Sequence, residues 1–160
     1  MMRIKSSIKE DLEGSFVYLI FSRELLYIGE TQKIAFSRWI QHFYYKGTFY
    51  KKIEKRGLNV KDYINELNLI SIELTNVRRD YSENRWKVIT QAVEHAMHEE
   101  LMCYRVKLLK SYYEKYYPYT DSFEIISDTS RTCPTSIPNK DWDYARNYAK
   151  EILEGVYNYL

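Results

Sequence analysis

Two short runs of β-branched and aromatic residues stand near the start of this chain. Residues 15–21 read SFVYLIF and residues 25–29 read LLYIG, with a polar segment at 22–24 between them. This pattern predicts a β-hairpin. A two-residue turn would place Tyr18 and Tyr27 on the same face, and a three-residue turn on opposite faces. We expect the same face.

Helical periodicity dominates the rest of the chain. Helices are predicted at 7–13, 32–45, 48–56 and 141–159, and a third strand at 67–77. A long helix opens at Ser82, and a last short strand is possible at 122–126. The apolar positions Phe36, Ile40 and Phe43 are expected to form the buried stripe of the helix at 32–45.

This order of elements predicts an α+β fold. We expect one domain over 1–160, with a small three-stranded antiparallel sheet flanked by helices and an added C-terminal helix. At 160 residues the chain is long enough for one core of useful size. It contains no apolar run near the length of a membrane span, and its N-terminus lacks the apolar region of a secretory signal. We therefore expect a cytoplasmic protein without a membrane partner.

Charge and cysteine content narrow the choice of partners. The net charge is only +2, so overall charge does not prove a nucleic-acid partner. Residues 46–56, KGTFYKKIEKR, are locally basic. They are either a solvated helix face or a phosphate-binding surface, formed by Lys46, Lys51, Lys52, Lys55 and Arg56. The two cysteines, Cys103 and Cys133, have no zinc-type spacing.

Three side chains carry candidate chemistry. Arg38 and His42 are one helical turn apart on the predicted helix, where an arginine can hold a phosphate and a histidine can move a proton. Glu94 follows Val93 on the long helix, about 100° from the apolar stripe. It is the best candidate for a metal-binding carboxylate, with Glu99 and Glu100 as competitors. Taken alone, an Arg-His pair at this spacing is more often an exposed pair without a functional role, and a lone glutamate on a helix is ordinarily solvated.

Together with the hairpin, these residues resemble the GIY-YIG nuclease family. Phe16-Val17-Tyr18 resembles the first motif with its glycine and isoleucine replaced, and Tyr27-Ile28-Gly29 matches the second. Thr31 and Arg38 stand at the family's usual places. The histidine at 42 matches the one found in restriction-type members. The resemblance covers residues 14–103, and the segment QAVEHAM resembles the helix that carries the family's glutamate, Glu94.

The resemblance implies phosphodiester hydrolysis with one divalent metal ion, Mg²⁺ or Mn²⁺. Glu94 would hold the metal, Tyr18 and His42 would activate water, Arg38 would neutralise transition-state charge, and Tyr27 would position the phosphate. Gly29, Thr31 and Lys33 would border the DNA together with the basic segment. The late asparagine of the family has no match that we carry over.

The leading interpretation is a stand-alone endonuclease of restriction-enzyme or mobile-element type that cuts double-stranded DNA. Residues 104–160 would then supply DNA recognition or the interface of a homodimer. A second interpretation is a nucleic-acid-binding or protein-interaction module that kept the fold and lost cleavage. A third is a soluble domain in which the YIG sequence is coincidental.

Overall fold

A four-stranded mixed sheet forms the centre of the protein. The structure is a computed structural model that describes residues 13–33, 35–44, 46–103 and 124–159. The strands are β1 (Glu13–Ser22), β2 (Leu25–Lys33), β3 (Asn68–Glu73) and β4 (Glu124–Ile125), in the order β3-β1-β2-β4. The first three are antiparallel, and the short β4 runs parallel to β2. The α+β class is confirmed, but the sheet has four strands instead of three.

The hairpin has the predicted register. A two-residue turn at 23–24 joins β1 to β2, with Arg23 at a positive φ of 48°. Tyr18 lies opposite Gly29, and Ile20 lies opposite Tyr27. Because side chains alternate along a strand, Tyr18 and Tyr27 share one face as diagonal neighbours.

Helices cover both faces of the sheet. Hydrophobic periodicity and polar caps place most of them where the sequence predicts, and the Asn59 side chain accepts from the Lys61 N–H at one N-terminus. The helices of the described residues are α1 (Ala35–Phe43), α2 (Thr48–Lys55), α3 (Val60–Ile64), α4 (Thr75–Asp80), α5 (Glu83–Cys103) and α6 (Asn139–Tyr159).

Alternation along the two central strands separates two hydrophobic clusters. On one face, Val17, Leu19 and Phe21 of β1 pack with α4, α5 and α6. On the other face, Tyr18 and Ile20 pack with α1, α2 and α3. The C-terminal helix α6 thus belongs to the same core as the hairpin, through buried residues that include Ala145, Ala149, Ile152, Leu153 and Val156.

Two elements differ from the sequence prediction. Ile40 was expected in the buried stripe of α1, but it is 54% exposed, because the helix instead turns Ala35, Trp39 and His42 inward. The predicted strand at 67–77 ends at Glu73, and the chain enters α4 so that Val77 reaches the α5 side of the core. Most of the predicted helix at 7–13 lies outside the described residues.

None of the helices that the structure describes is long and apolar enough to cross a membrane.

Candidate active site

A tyrosine and a histidine from different elements meet in a buried hydrogen bond. Tyr18 Oη on β1 lies 2.7 Å from His42 Nε2 on α1. Tyr27 of β2 packs against both, with its ring 4.7 Å from the His42 ring and stacked 6.4 Å from that of Tyr18. Phe49 of α2 packs edge-on against Tyr27, with the ring centroids 6.2 Å apart. The register of the hairpin and the inward turn of α1 therefore assemble three of the five predicted catalytic residues.

His42 is neutral in this environment. Burial, together with the positive charge of Arg38, lowers its pKa to about 4. A neutral imidazole offers one lone pair and one N–H. Nδ1 has no hydrogen-bond partner among the described residues, while Nε2 faces the Tyr18 hydroxyl. With the hydrogen on Nδ1, His42 Nε2 accepts a hydrogen bond from the Tyr18 hydroxyl. Its lone pair is then in position to act as a general base.

Both tyrosines are held in their neutral form. Burial raises the pKa of Tyr18 well above its ordinary value, and Tyr27, Glu94 and Glu30 raise it further, while Arg38 opposes them. Burial, reinforced by Glu94, raises the pKa of Tyr27 to about 12. A tyrosinate is therefore not available at neutral pH, and Tyr18 can act only by passing a proton on.

Gly29 makes room for this arrangement. It lies opposite Tyr18 in the register, and a Cβ at this position would come within 2.3 Å of the Tyr18 hydroxyl. No side chain larger than hydrogen fits without moving the tyrosine ring. The glycine of the YIG sequence thus has a steric role in placing Tyr18.

We expect Gly29→Ala to displace Tyr18 and to destabilise the fold by about 1–3 kcal/mol, the usual cost of overpacking a core. Thermal unfolding and the loss of the Tyr18–His42 contact in an NMR spectrum would measure this. Gly155→Ala is the matched control, since a Cβ there meets nothing within 4 Å and the site lies in α6. An equally well-tolerated Gly29→Ala would contradict the assigned packing.

Glu94 approaches the same site from the other side of the sheet. It lies on α5, which packs against β2. The strand β4 pairs only with Leu25 and Leu26, so the later part of β2 extends beyond it. Beside this uncovered part of β2, the carboxyl group of Glu94 interacts electrostatically with Tyr18 and Tyr27.

The carboxyl group of Glu94 is unusual for a helix glutamate. It is 6% exposed, and its Oε2 atom has no hydrogen-bond partner among the described residues. Burial, reinforced by the charge of Glu30, raises its pKa to about 8 against the smaller, opposing effects of Arg38 and the nearby Thr132 side chain. Without a bound metal ion, the Glu94 carboxyl group is mainly protonated at pH 7. The competitors differ: Glu99 is exposed and pairs with His95 and Arg146.

Arg38 supplies the positive charge of the site from its rim. Its side chain is exposed, and Nη1 donates to the Gln41 amide oxygen at 3.0 Å. Its charge lowers the pKa values of Tyr18, Tyr27, His42 and Glu94. All five predicted catalytic residues are therefore coupled within one region, with the arginine at its solvent side.

The predicted DNA-binding residues fall into two groups. Lys33, Lys46, Lys51 and Lys55 are exposed, with Lys51 and Lys55 on the outer side of α2. By contrast, Arg56 Nε donates to Glu124 at 2.9 Å, and Lys52 is half-buried with Asp128 near it. Thr31 is buried, and its hydroxyl accepts from the Lys33 N–H.

The sequence interpretation missed several polar residues around Glu94. Glu30 follows the YIG sequence directly, and its carboxylate accepts from Gln91 at 3.5 Å. His98 is one turn beyond Glu94 on α5, the same spacing as Arg38 and His42, which is a signal that sequence could have offered. Ser127 and Thr132 belong to an irregular segment after β4 and carry no such signal.

The residues present fit a single divalent cation held by few protein ligands. Within the described residues, no group of three or more His, Cys, Asp and Glu side chains is placed to hold a metal ion. Magnesium, however, keeps several waters and commonly binds through one or two carboxylates together with substrate phosphate oxygens. The buried, unpartnered Oε2 of Glu94 meets that requirement.

Compared with models of known protein families, with curated proteins and with solved structures, the chain finds no match. The resemblance to the GIY-YIG pattern therefore rests on the residues themselves.

Proposed function

We propose that this protein is a metal-dependent DNA endonuclease of GIY-YIG type. The observation that carries the proposal is the convergence of Tyr18, Tyr27, His42 and Glu94 from opposite faces of one sheet, with Arg38 at the rim. A buried base, an arginine and an unpartnered carboxylate are the groups that phosphodiester hydrolysis requires. A glutamate that served only the stability of the fold would not be buried with an unpartnered carboxyl oxygen, because such burial costs free energy.

Double-stranded DNA is the proposed substrate. The exposed lysines at 46, 51 and 55 lie on the layer formed by α1 and α2, the same layer that carries Arg38 and His42. Lysine contacts to phosphates provide affinity that falls with salt and carries no sequence information. A restriction-enzyme or mobile-element role requires additional base contacts, which residues 104–160 would supply.

The metal ion would bind at Glu94, where it would stabilise negative charge on the phosphate as a Lewis acid. Glu94 must lose its proton to bind, and the raised pKa makes that step dependent on pH. Arg38 would pair with a non-bridging phosphate oxygen. Engagement of Arg38 by phosphate would also weaken its effect on His42, and a bound anion would make His42 more basic.

Proton transfer would follow the hydrogen bond already present. The attacking water would give its proton to the Tyr18 oxygen while Tyr18 passes its own proton to His42 Nε2, 2.7 Å away. This relay leaves Tyr18 neutral throughout, as its raised pKa requires. Tyr27 stacks beside the pair and excludes water from that side.

A distinctive pH dependence follows from Glu94. At subsaturating Mg²⁺ we expect the cleavage rate to rise about tenfold per pH unit below pH 8 and to level above it, because only ionised Glu94 binds metal. His42 is already neutral across that range. Initial rates between pH 5.5 and 9 at two Mg²⁺ concentrations would measure the profile.

Two comparisons sharpen that measurement. Saturating Mg²⁺ should move the rise to lower pH, and Glu30→Gln should do the same, because the charge of Glu30 raises the Glu94 pKa. A rate that falls as pH increases from 6 to 8 would contradict the assignment of Glu94.

The experiment that separates the proposed function from its alternative uses supercoiled plasmid DNA. Purified protein with Mg²⁺ is expected to produce nicked and linear DNA, and EDTA should prevent this. A binding module that lost cleavage would instead retain the plasmid in a salt-sensitive manner and leave it intact.

A homodimer would provide two active sites for the two DNA strands. Exposed aromatic residues at the end of α6, Tyr157 and Tyr159, support such an interface, with exposed fractions of 46% and 71%. Sedimentation analysis with and without duplex DNA would test the stoichiometry.

A further inference from the structure

A chain of three hydrogen bonds joins the backbone of β2 to the backbone of α5. The Ile28 N–H donates to Ser127 Oγ at 3.0 Å, Ser127 Oγ lies 2.6 Å from His98 Nε2, and His98 Nδ1 lies 2.9 Å from the Glu94 carbonyl oxygen. One end of the chain is the central residue of the YIG sequence. The other end is the residue proposed to bind the metal.

The direction of each hydrogen bond is determined by the partners. A backbone carbonyl can only accept, so His98 Nδ1 must carry a hydrogen. Burial lowers the pKa of His98, which keeps the ring neutral and leaves a lone pair on Nε2. Ser127 therefore donates its hydroxyl hydrogen to Nε2 and uses an oxygen lone pair to accept from Ile28. Every polar atom in this chain of hydrogen bonds has a partner, and the donor and acceptor of each bond are fixed.

We propose that His98 and Ser127 are positioning residues that hold the Glu94 turn of α5 against the Tyr27–Gly29 stretch of β2. This proposal rests on the proposed function of Glu94 as a metal ligand. The chain lies where β4 has ended, so Ser127 continues the contact between β2 and the C-terminal segment through a side chain. It fixes the helix relative to the strand that carries the rest of the site.

The same segment reaches the site at two further points. Thr129 Oγ1 lies 2.8 Å from His95 Nδ1 on α5, and the Thr132 side chain lies close enough to the Glu94 carboxyl group to lower its pKa. Residues after β4 therefore belong to the surroundings of the candidate metal site, outside the span of the GIY-YIG resemblance. Partners that orient a metal ligand typically change metal affinity or activity by 10- to 100-fold when they are removed.

The test compares Ser127→Ala with Ser127→Thr, which retains the hydroxyl, and with His98→Asn, which can keep the Glu94 contact but cannot reach Ser127. Thr90→Val is the matched control, because it removes another side-chain hydrogen bond to a backbone carbonyl about two turns earlier on α5, from Thr90 Oγ1 to Trp86 O at 2.6 Å. Each protein is examined for Mn²⁺ affinity by electron paramagnetic resonance, for kcat and KM of DNA cleavage, and for thermal unfolding.

We expect Ser127→Ala and His98→Asn to weaken Mn²⁺ binding and to lower kcat by 10- to 100-fold, with the KM for DNA little changed. Ser127→Thr should keep both Mn²⁺ affinity and kcat near the wild-type values. Thr90→Val should lower the stability of the protein and leave Mn²⁺ affinity and kcat unchanged. Equal Mn²⁺ affinity and kcat in Ser127→Ala and Thr90→Val would overturn the positioning role. Weakened Mn²⁺ binding with no cleavage even by the wild type would overturn the proposed nuclease and leave the positioning role standing. A wild type that binds no Mn²⁺ would overturn both.

Discussion

Glu94→Gln is expected to abolish metal-dependent cleavage, by a factor of 10³ or more, and at the same time to stabilise the protein. The loss of activity follows because an amide cannot neutralise a divalent cation, and the transition state loses that charge stabilisation. The gain in stability follows because burial disfavours the ionised carboxylate.

The sign of the stability change depends on pH. The folded-state pKa of Glu94 is raised from 4.5 to about 8, so the folded protein holds a proton that the unfolded chain has released. Stability therefore falls as pH rises from 4.5 to 8. Glutamine does not titrate, and the variant should exceed the wild type by on the order of 3 kcal/mol at pH 7, with little difference near pH 4.5.

Denaturant unfolding at pH 4.5, 7 and 8.5 would measure that difference, and Mg²⁺ should reduce it at the higher pH values. Glu100→Gln is the control on the same helix, where the side chain is only half-buried. If the advantage of Glu94→Gln over the wild type were no larger at pH 7 than at pH 4.5, the carboxyl group would not be held protonated by burial.

His42→Ala is expected to lower the cleavage rate by 10²- to 10⁴-fold, the range for loss of a general base. Tyr18→Phe should cause a comparable loss, because it removes the hydroxyl that connects water to His42 Nε2. Since both residues act on one proton, the double variant should be little worse than either single one. Single-turnover cleavage of a duplex oligonucleotide would measure all three.

Tyr63→Phe provides the control for Tyr18→Phe. Tyr63 is buried in the same hydrophobic cluster, but its hydroxyl donates to Glu24 at 2.7 Å and has no contact with His42. We expect that variant to keep its activity. Additive losses for Tyr18→Phe and His42→Ala would contradict a shared proton path.

Local sequence patterns were sufficient for the elements that build the site. The turn at 23–24 and strict alternation determine that Tyr18 and Tyr27 share a face. Helical spacing brought Arg38 and His42 together, and the border position of Glu94 on α5 predicted its direction. These features depend on residues close in sequence, for which the periods of strands and helices are reliable guides.

Contacts between distant segments were not predictable in the same way. Ser127 contacts His98, and Thr132 lies near the Glu94 carboxyl group, both from an irregular segment after β4 that nothing in the chain near Glu94 indicates. The exposure of Ile40 also depends on tertiary structure, since α1 presents the polar His42 to the core in order to meet Tyr18. In both cases the decisive contact joins elements that are distant in sequence, where local patterns give no information.

The central claim is that one metal ion at Glu94 drives phosphodiester cleavage. It is tested most directly by the Mg²⁺ dependence of plasmid cleavage, measured side by side for the wild type, Glu94→Gln and Glu100→Gln. We predict saturable, EDTA-sensitive cutting by the wild type and by Glu100→Gln, and none by Glu94→Gln. Cutting by Glu94→Gln at the wild-type rate would contradict the account, as would a wild type that leaves the DNA intact.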